Sequence, residues 1–164
     1  MCRLITSTVV SVLLSLPTHA AERITDEQIQ QVIDATDVAS MNRDAAGIGT
    51  YLAESFKKIV EFPYKKWMAK VTVRKDQYLE IIDEGWASGG NYYYQREDTV
   101  IHIMPDGSSG QSYSTITETL SLRGTRMISK YREHALYALE DGKPVITQIS
   151  GHTLLGDTMR EPGE

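Results

Sequence analysis

Four consecutive runs rich in β-branched and aromatic residues fill the C-terminal half of the chain, and short turn signals separate them. The runs are YYYQREDTVIHIM (92–104), QSYSTITETLSL (111–122), RMISKYREHALYAL (126–139) and PVITQISGHTLL (144–155). Between them lie PDGSSG, RGT and EDGK, whose glycine, proline and aspartate residues suit tight reversals. Strands joined this closely must run antiparallel, because a parallel neighbour needs a long crossover. A meander is predicted, and a doubly wound parallel sheet is excluded.

Helical spacing is confined to the segments before the meander. In ITDEQIQQVIDATDVASMNRD, residues Ile29, Val32, Ile33 and Thr36 fall on one face, with Thr25 or Asp26 placed to cap the start. A second helix is predicted over NRDAAGIGTYLAESF, with Ala45, Ile48, Leu52 and Phe56 on one stripe and Asn42 or Asp44 as the cap. Gly47 and Gly49 make that helix weak by itself. KKIVEFPYKKWMAKVTV then reads as two short strands around a turn, with Pro63 as the interruption, and RKDQYLEIIDEGWAS returns to helix. The fold class is α+β, with N-terminal helices packed on a strongly curved antiparallel sheet.

The first residues have a separate purpose. A basic start (MCR), an apolar run (LITSTVVSVLLSL) and a small-residue end (PTHA) are the layout of a signal peptide over residues 1–20, cleaved between Ala20 and Ala21. The expected location is periplasmic or secreted. An uncleaved anchor is the competing reading, for which the run is short and interrupted by Ser and Thr. One domain is expected over residues 21–157, followed by a loose tail, TMREPGE, over 158–164. Cys2 is the single cysteine and precedes the cleavage point, so disulfides and thiol chemistry are excluded from the exported chain. The net charge is −5 and no basic cluster is present, so neither nucleic acid nor an anionic membrane surface is an expected partner.

Several stretches carry a resemblance: SMNRDAAGIGTYLAESF, YLEIIDEGW, IMPDGSSGQSYSTITETL and YALEDGKPVITQISGHT. Together they resemble an exported bacterial member of the nuclear transport factor 2-like (SnoaL-like) superfamily. Pro144 departs from the pattern, standing where many members carry an aromatic residue after the DGK turn. The resemblance implies a cone, cystatin-like in outline, with a pocket between helices and sheet. Members include isomerases, dehydratases, cyclases, binding modules and dimerisation domains, so no single activity follows. The isomerases' pocket aspartate and oxyanion donors have no residue-by-residue match in this chain, and no catalytic role is carried over.

The local chemistry centres on two carboxylates. In ISKYREHALYAL, Lys130, Arg132 and His134 alternate with Tyr131, Glu133, Ala135 and Tyr137, so one set must face inward. Three cationic or titratable groups suit the wetted face, which turns Glu133 inward. An inward Glu133 among phenols would have a raised pKa, as a general acid needs; alternatively a Tyr, or an Arg such as Arg43, holds it as a structural group. Glu118 sits one strand earlier, and the register of that hairpin decides its neighbours. An odd pairing sum places Glu118 and Glu133 on one face as an acid/base couple, whereas an even sum places Glu118 with Lys130 and Arg132 as a surface ion pair. LRGTR admits both.

Tyr64, Trp67, Trp86, Tyr94, His102, Tyr113, Tyr131 and Tyr137 are the candidate ligand-contacting residues, with core or dimer packing as the competing use of the aromatic set. NYYYQ places Tyr92 and Tyr94 on one face and Tyr93 on the other. His102, His134 and His152 stand one to a strand without a ligand spacing, so no metal and no cofactor is expected. The expected function is a non-catalytic module that binds a small molecule or forms a homodimer through its sheet. The alternative is a lyase or isomerase using a pocket carboxylate on a carbonyl-type substrate. A third reading docks a protein partner on the outer sheet face.

Overall fold

A computed structural model of the chain describes residues 23–64, 67–87, 90–122 and 125–160. The expected signal peptide lies outside the described residues. Helix α1 (Asp26–Met41) starts where the sequence places it: the Thr25 side chain accepts from the Gln28 amide at 3.3 Å, and the Gln28 side chain accepts from the Thr25 amide at 3.0 Å. This reciprocal box satisfies two of the amides that a helix start leaves without partners.

Helix α2 (Ala45–Gly49) is capped by Asp44, as expected, but it is a single short turn. Leu52 and Phe56, expected on its stripe, belong instead to strand β1 (Leu52–Tyr64). A spacing of four fits a strand face as well as a helix face, so periodicity could not separate the two. Gly47 and Gly49 weaken the helix and the chain extends after Thr50. Strand β2 (Trp67–Arg74) pairs antiparallel with β1, followed by helix α3 (Lys75–Ala87). The meander then runs through β3 (Asn91–Ile103), β4 (Ser109–Leu122), β5 (Thr125–Glu140) and β6 (Lys143–Arg160). Thr158 pairs with Met127, so β6 continues past the expected end of the domain at residue 157.

The strand order is β2-β1-β6-β5-β4-β3 in one curved sheet. The sheet is mostly antiparallel, as expected, and its one parallel pairing is that of β1 with β6. The long connection through α3 and four strands allows that direction, which a short turn could not. Pro63 is tolerated in this inner strand because the β1–β6 pairing ends at Glu61 and His152. At the EDGK turn, Asp141 and Gly142 have φ of 51° and 73°, the left-handed pair that a two-residue hairpin needs.

The core lies between α1 and the concave sheet face. Ile29, Val32 and Ile33 of α1 pack against a set that includes Phe56, Ala135, Tyr137, Ile146 and Ile149. Gly110 makes the close approach feasible: a Cβ there would collide with Cδ1 of Ile29. In β3 a bulge at Asp98, where φ is 53°, shifts the alternation. Tyr92, Tyr94 and Arg96 face inward before it, and Ile101 and Ile103 after it. Helix α3 has no fully buried residue and covers the other end of the concave face with half-buried Tyr78, Leu79, Ile82 and Trp86.

Candidate functional site

The hairpin register decides the site. Ser114 pairs with Glu133, and Glu118 pairs with Ser129. The last pair, Leu122 with Thr125, leaves two residues in the turn and makes the pairing sum odd. Glu118 and Glu133 therefore share the concave face. The surface pairing of Glu118 with Lys130 and Arg132 does not form: Lys130 lies outside and meets Glu97 at 3.9 Å.

The two carboxylates have different surroundings. Glu133 is 7% exposed, with its Oε1 2.9 Å from Arg96 Nη1 and its Oε2 3.5 Å from Lys58 Nζ. Arg96 also grips Asp37 of α1 through Nε, at 2.9 and 3.1 Å, and donates to the Tyr94 hydroxyl at 2.9 Å. Tyr94 in turn donates to Asp37 at 2.8 Å. Burial by itself would raise the Glu133 pKa, but Arg96 first and Lys58 second outweigh it and hold the carboxyl below its usual range. Asp37 moves the other way, because burial outweighs its share of the single guanidinium. The expectation of a raised pKa at Glu133 is thus corrected: two cations, not phenols, set its state. An arginine does hold Glu133, but it is Arg96; Arg43 donates to the Gly90 carbonyl at 2.6 Å. The void beside this network is only about 30 Å³, room for about one water.

Glu118 is the carboxylate with space in front of it. It lines an open cavity of about 210 Å³ with Lys58, Val60, Tyr78, Ile82, Ser129, Tyr131, Gly151 and Thr153. The Tyr92 phenol donates to its Oε1 at 3.0 Å. Burial raises the Glu118 pKa, and Glu133 nearby adds to the rise, against the hydrogen bonds from Tyr92 and Tyr131 and the charge of Lys58. Burial, with Glu118 and Glu133, also pushes the Tyr131 phenol well above its usual range. The Lys58 ammonium stands between the two carboxylates' environments. It lies 5.7 Å from the Tyr78 ring centre and 5.4 Å from that of Tyr131, within cation–π range.

Of the candidate ligand contacts, Tyr131 lines this cavity. Tyr94 and Tyr137 line the small void instead, and the Tyr137 hydroxyl is bonded to Ser112 at 3.0 Å. Burial pushes that phenol up to about 12. Trp86 does not line the cavity; it packs edge-on, with ring centres 5.7 Å apart, against Tyr92, whose phenol holds Glu118. His102 and Tyr113 are corrections to the list: both are exposed on the outer sheet face, where Tyr113 stacks on His134 at 4.4 Å. They follow the Asp98 bulge and the odd positions of β4, which point away from the helices. The side chains of Tyr64 and Trp67 lie outside the described residues. Lys58, Arg96, Asp37, Tyr78 and Tyr92 were not on the list. Parity could have found Arg96, two residues beyond Tyr94, and Lys58, two beyond Phe56.

Chemically, the cavity combines a carboxyl held toward its protonated form, an ammonium and a phenol. That set can donate hydrogen bonds to a ligand oxygen or exchange a proton with it. Among the described residues, no group of three His, Cys, Asp or Glu side chains is arranged to hold a metal ion. No helix among them is long and apolar enough to cross a membrane.

No protein-family model matches the chain, and no curated protein matches it by sequence. Solved structures do. A hexachlorocyclohexane dehydrochlorinase from Novosphingobium barchaimii superposes with a TM-score of 0.65 over 81% of this chain and 88% of that one, at 9% identity. A nuclear transport factor 2-like protein from Cytophaga hutchinsonii gives 0.63 over 80% and 100%, at 14% identity. Another such protein, of unknown function, from Pseudomonas putida gives 0.62 over 84% and 95%, at 12% identity. Helices N-terminal to a curved six-stranded sheet, and agreement over four-fifths of the length, lead to one conclusion: the chain has the nuclear transport factor 2-like fold.

Proposed function

We propose that the chain is an exported protein that binds a small molecule in the cavity between α3 and the concave sheet face. One contrast carries this reading. Glu133 is sealed by two cations beside a void of about 30 Å³, whereas Glu118 faces an open cavity of about 210 Å³. Glu118 is half-buried and held by the Tyr92 phenol, yet it still borders the cavity, where a ligand atom could reach it. The volume falls below the usual range of drug-sized sites, which points to a compact ligand. Gly151 offers a test. A Cβ there meets the Tyr131 ring at 3.6 Å, an ordinary contact, so Gly151→Val fills the cavity from its wall. Fragment binding, followed by tryptophan fluorescence and amide shifts, is expected for the native chain and lost in Gly151→Val. Binding that ignores the substitution would sink the proposal.

A second reading is catalysis, as a lyase or isomerase, and the raised pKa of Glu118 favours it. A raised pKa makes the ionised carboxylate a stronger base, which can take a proton from carbon and return it. One structural neighbour is named as a dehydrochlorinase, a reaction that removes a proton with a leaving group. Deuterium uptake by cyclohexanone in heavy water is the simplest assay. Exchange above the Glu118→Gln background supports catalysis, and none leaves binding alone.

The leader over residues 1–20 supports export, and the mature protein recovered from cells should begin at Ala21. A homodimer through the outer sheet face is part of the same reading, since Val100 and Tyr113 are exposed there. Sedimentation of the native chain beside Tyr113→Lys tests it.

A further inference from the structure

Resting on that pocket, we infer its ligand class: a small organic carboxylate with a flat apolar body, its charged oxygen on Lys58 and its second oxygen toward Glu118. The cavity wall presents donors. Lys58 carries three N–H groups, and among the described residues its ion-pair partner is Glu133, at 3.5 Å. That is long for a charge-assisted contact, whose usual length is about 2.7–2.9 Å. Arg96 holds the same carboxylate at 2.9 Å, so Lys58 is the looser of its two cations and the one that reaches the cavity. The rings of Tyr78 and Tyr131 shelter the ammonium but accept no conventional hydrogen bond from it. An oxyanion entering the cavity would complete its shell.

Charge balance argues in the same direction. Lys58 and Arg96 offset Asp37 and Glu133, so the network is neutral while Glu118 keeps its proton. A cationic ligand would enter against Lys58. An anion would meet Lys58 on one side and, on the other, the Glu118 carboxyl, which can donate when it carries its proton. The remaining wall, Val60, Ile82 and Tyr78, suits a flat apolar body.

The groups facing Glu118 are Lys58 from β1, Tyr78 from α3, Tyr92 from β3, and Tyr131 and Glu133 from β5. An anion added to this set makes ionisation of Glu118 harder, so binding should take up a proton and weaken as pH rises. The test uses three probes of one shape on the mature chain: benzoate, benzamide and benzylamine. Benzoate should bind at least about tenfold more tightly than benzamide at about pH 5, with benzylamine weakest. Lys58→Met should erase the preference for benzoate and keep benzamide binding, and Lys58→Arg should restore it. Glu118→Gln, which keeps a donor without a titrating proton, should retain benzoate and flatten its pH dependence. Equal binding of benzoate and benzamide, or preferred binding of benzylamine, overturns the carboxylate inference and leaves the pocket standing. If none of the three perturbs the native chain differently from Gly151→Val, the pocket reading itself falls.

Discussion

Glu133→Gln keeps the shape of the side chain and removes one charge from the centre of the molecule. Both carboxylate oxygens are engaged, Oε1 by Arg96 at 2.9 Å and Oε2 by Lys58 at 3.5 Å, and the residue is 7% exposed. Removing one member of a buried pair costs about 3–5 kcal/mol, because the opposite charge stays buried without its partner. The lower end applies here, since Arg96 retains Asp37 and the glutamine carbonyl can still accept from it. A loss of about 3 kcal/mol lowers the midpoint of thermal unfolding by roughly 10 °C in a chain of this size. The pH dependence has a definite sign. The folded pKa of Glu133 lies below the ordinary 4.5, so its stabilisation is complete above that value and disappears as pH falls through the folded one. Urea and thermal unfolding of both proteins, at neutral pH and in acid, measure the gap. A variant as stable as the native chain at neutral pH, or a gap that does not narrow in acid, would refute the reasoning.

Glu118→Gln should behave in the opposite sense. Its folded pKa is raised, so the native chain loses stability as pH climbs from the ordinary carboxyl value through the folded one. The variant lacks that loss, and its advantage in thermal melts should grow with pH. Thr25→Ala removes the reciprocal cap of α1 and should cost about 1 kcal/mol in urea unfolding, with Thr25→Ser recovering most of it. Gly110→Ala drives a methyl into Ile29 and should cost about 1–3 kcal/mol; the smaller Ile29→Val partner change should relieve part of it.

Much of the fold was legible because its signals are local. The Thr25 cap, the two-residue DG turn and the inward alternation of Tyr131, Glu133, Ala135 and Tyr137 each lie within a few residues. The same alternation correctly placed Lys130, Arg132 and His134 outside. The local signals failed at Leu52 and Phe56, where one spacing serves helix and strand alike. They failed again at His102, where the Asp98 bulge shifts the strand's alternation.

What the sequence by itself determined, then, was the order and type of the principal elements, the α+β class and the inward turn of Glu133. Tertiary structure alone decided the rest of the site. The two-residue turn set a register that placed Glu118 beside Glu133, and a parallel β1–β6 pairing brought Lys58 to them. Arg96 reached Glu133 across 37 residues of sequence, and Asp37 joined through α1, 59 residues before Arg96. A carboxylate's chemistry depends on the charges and water within a few ångströms of it. Those neighbours come from four strands and two helices, so no window of sequence contains them. Only the packed sheet could show that Glu133 is the structural carboxylate and Glu118 the one facing open space.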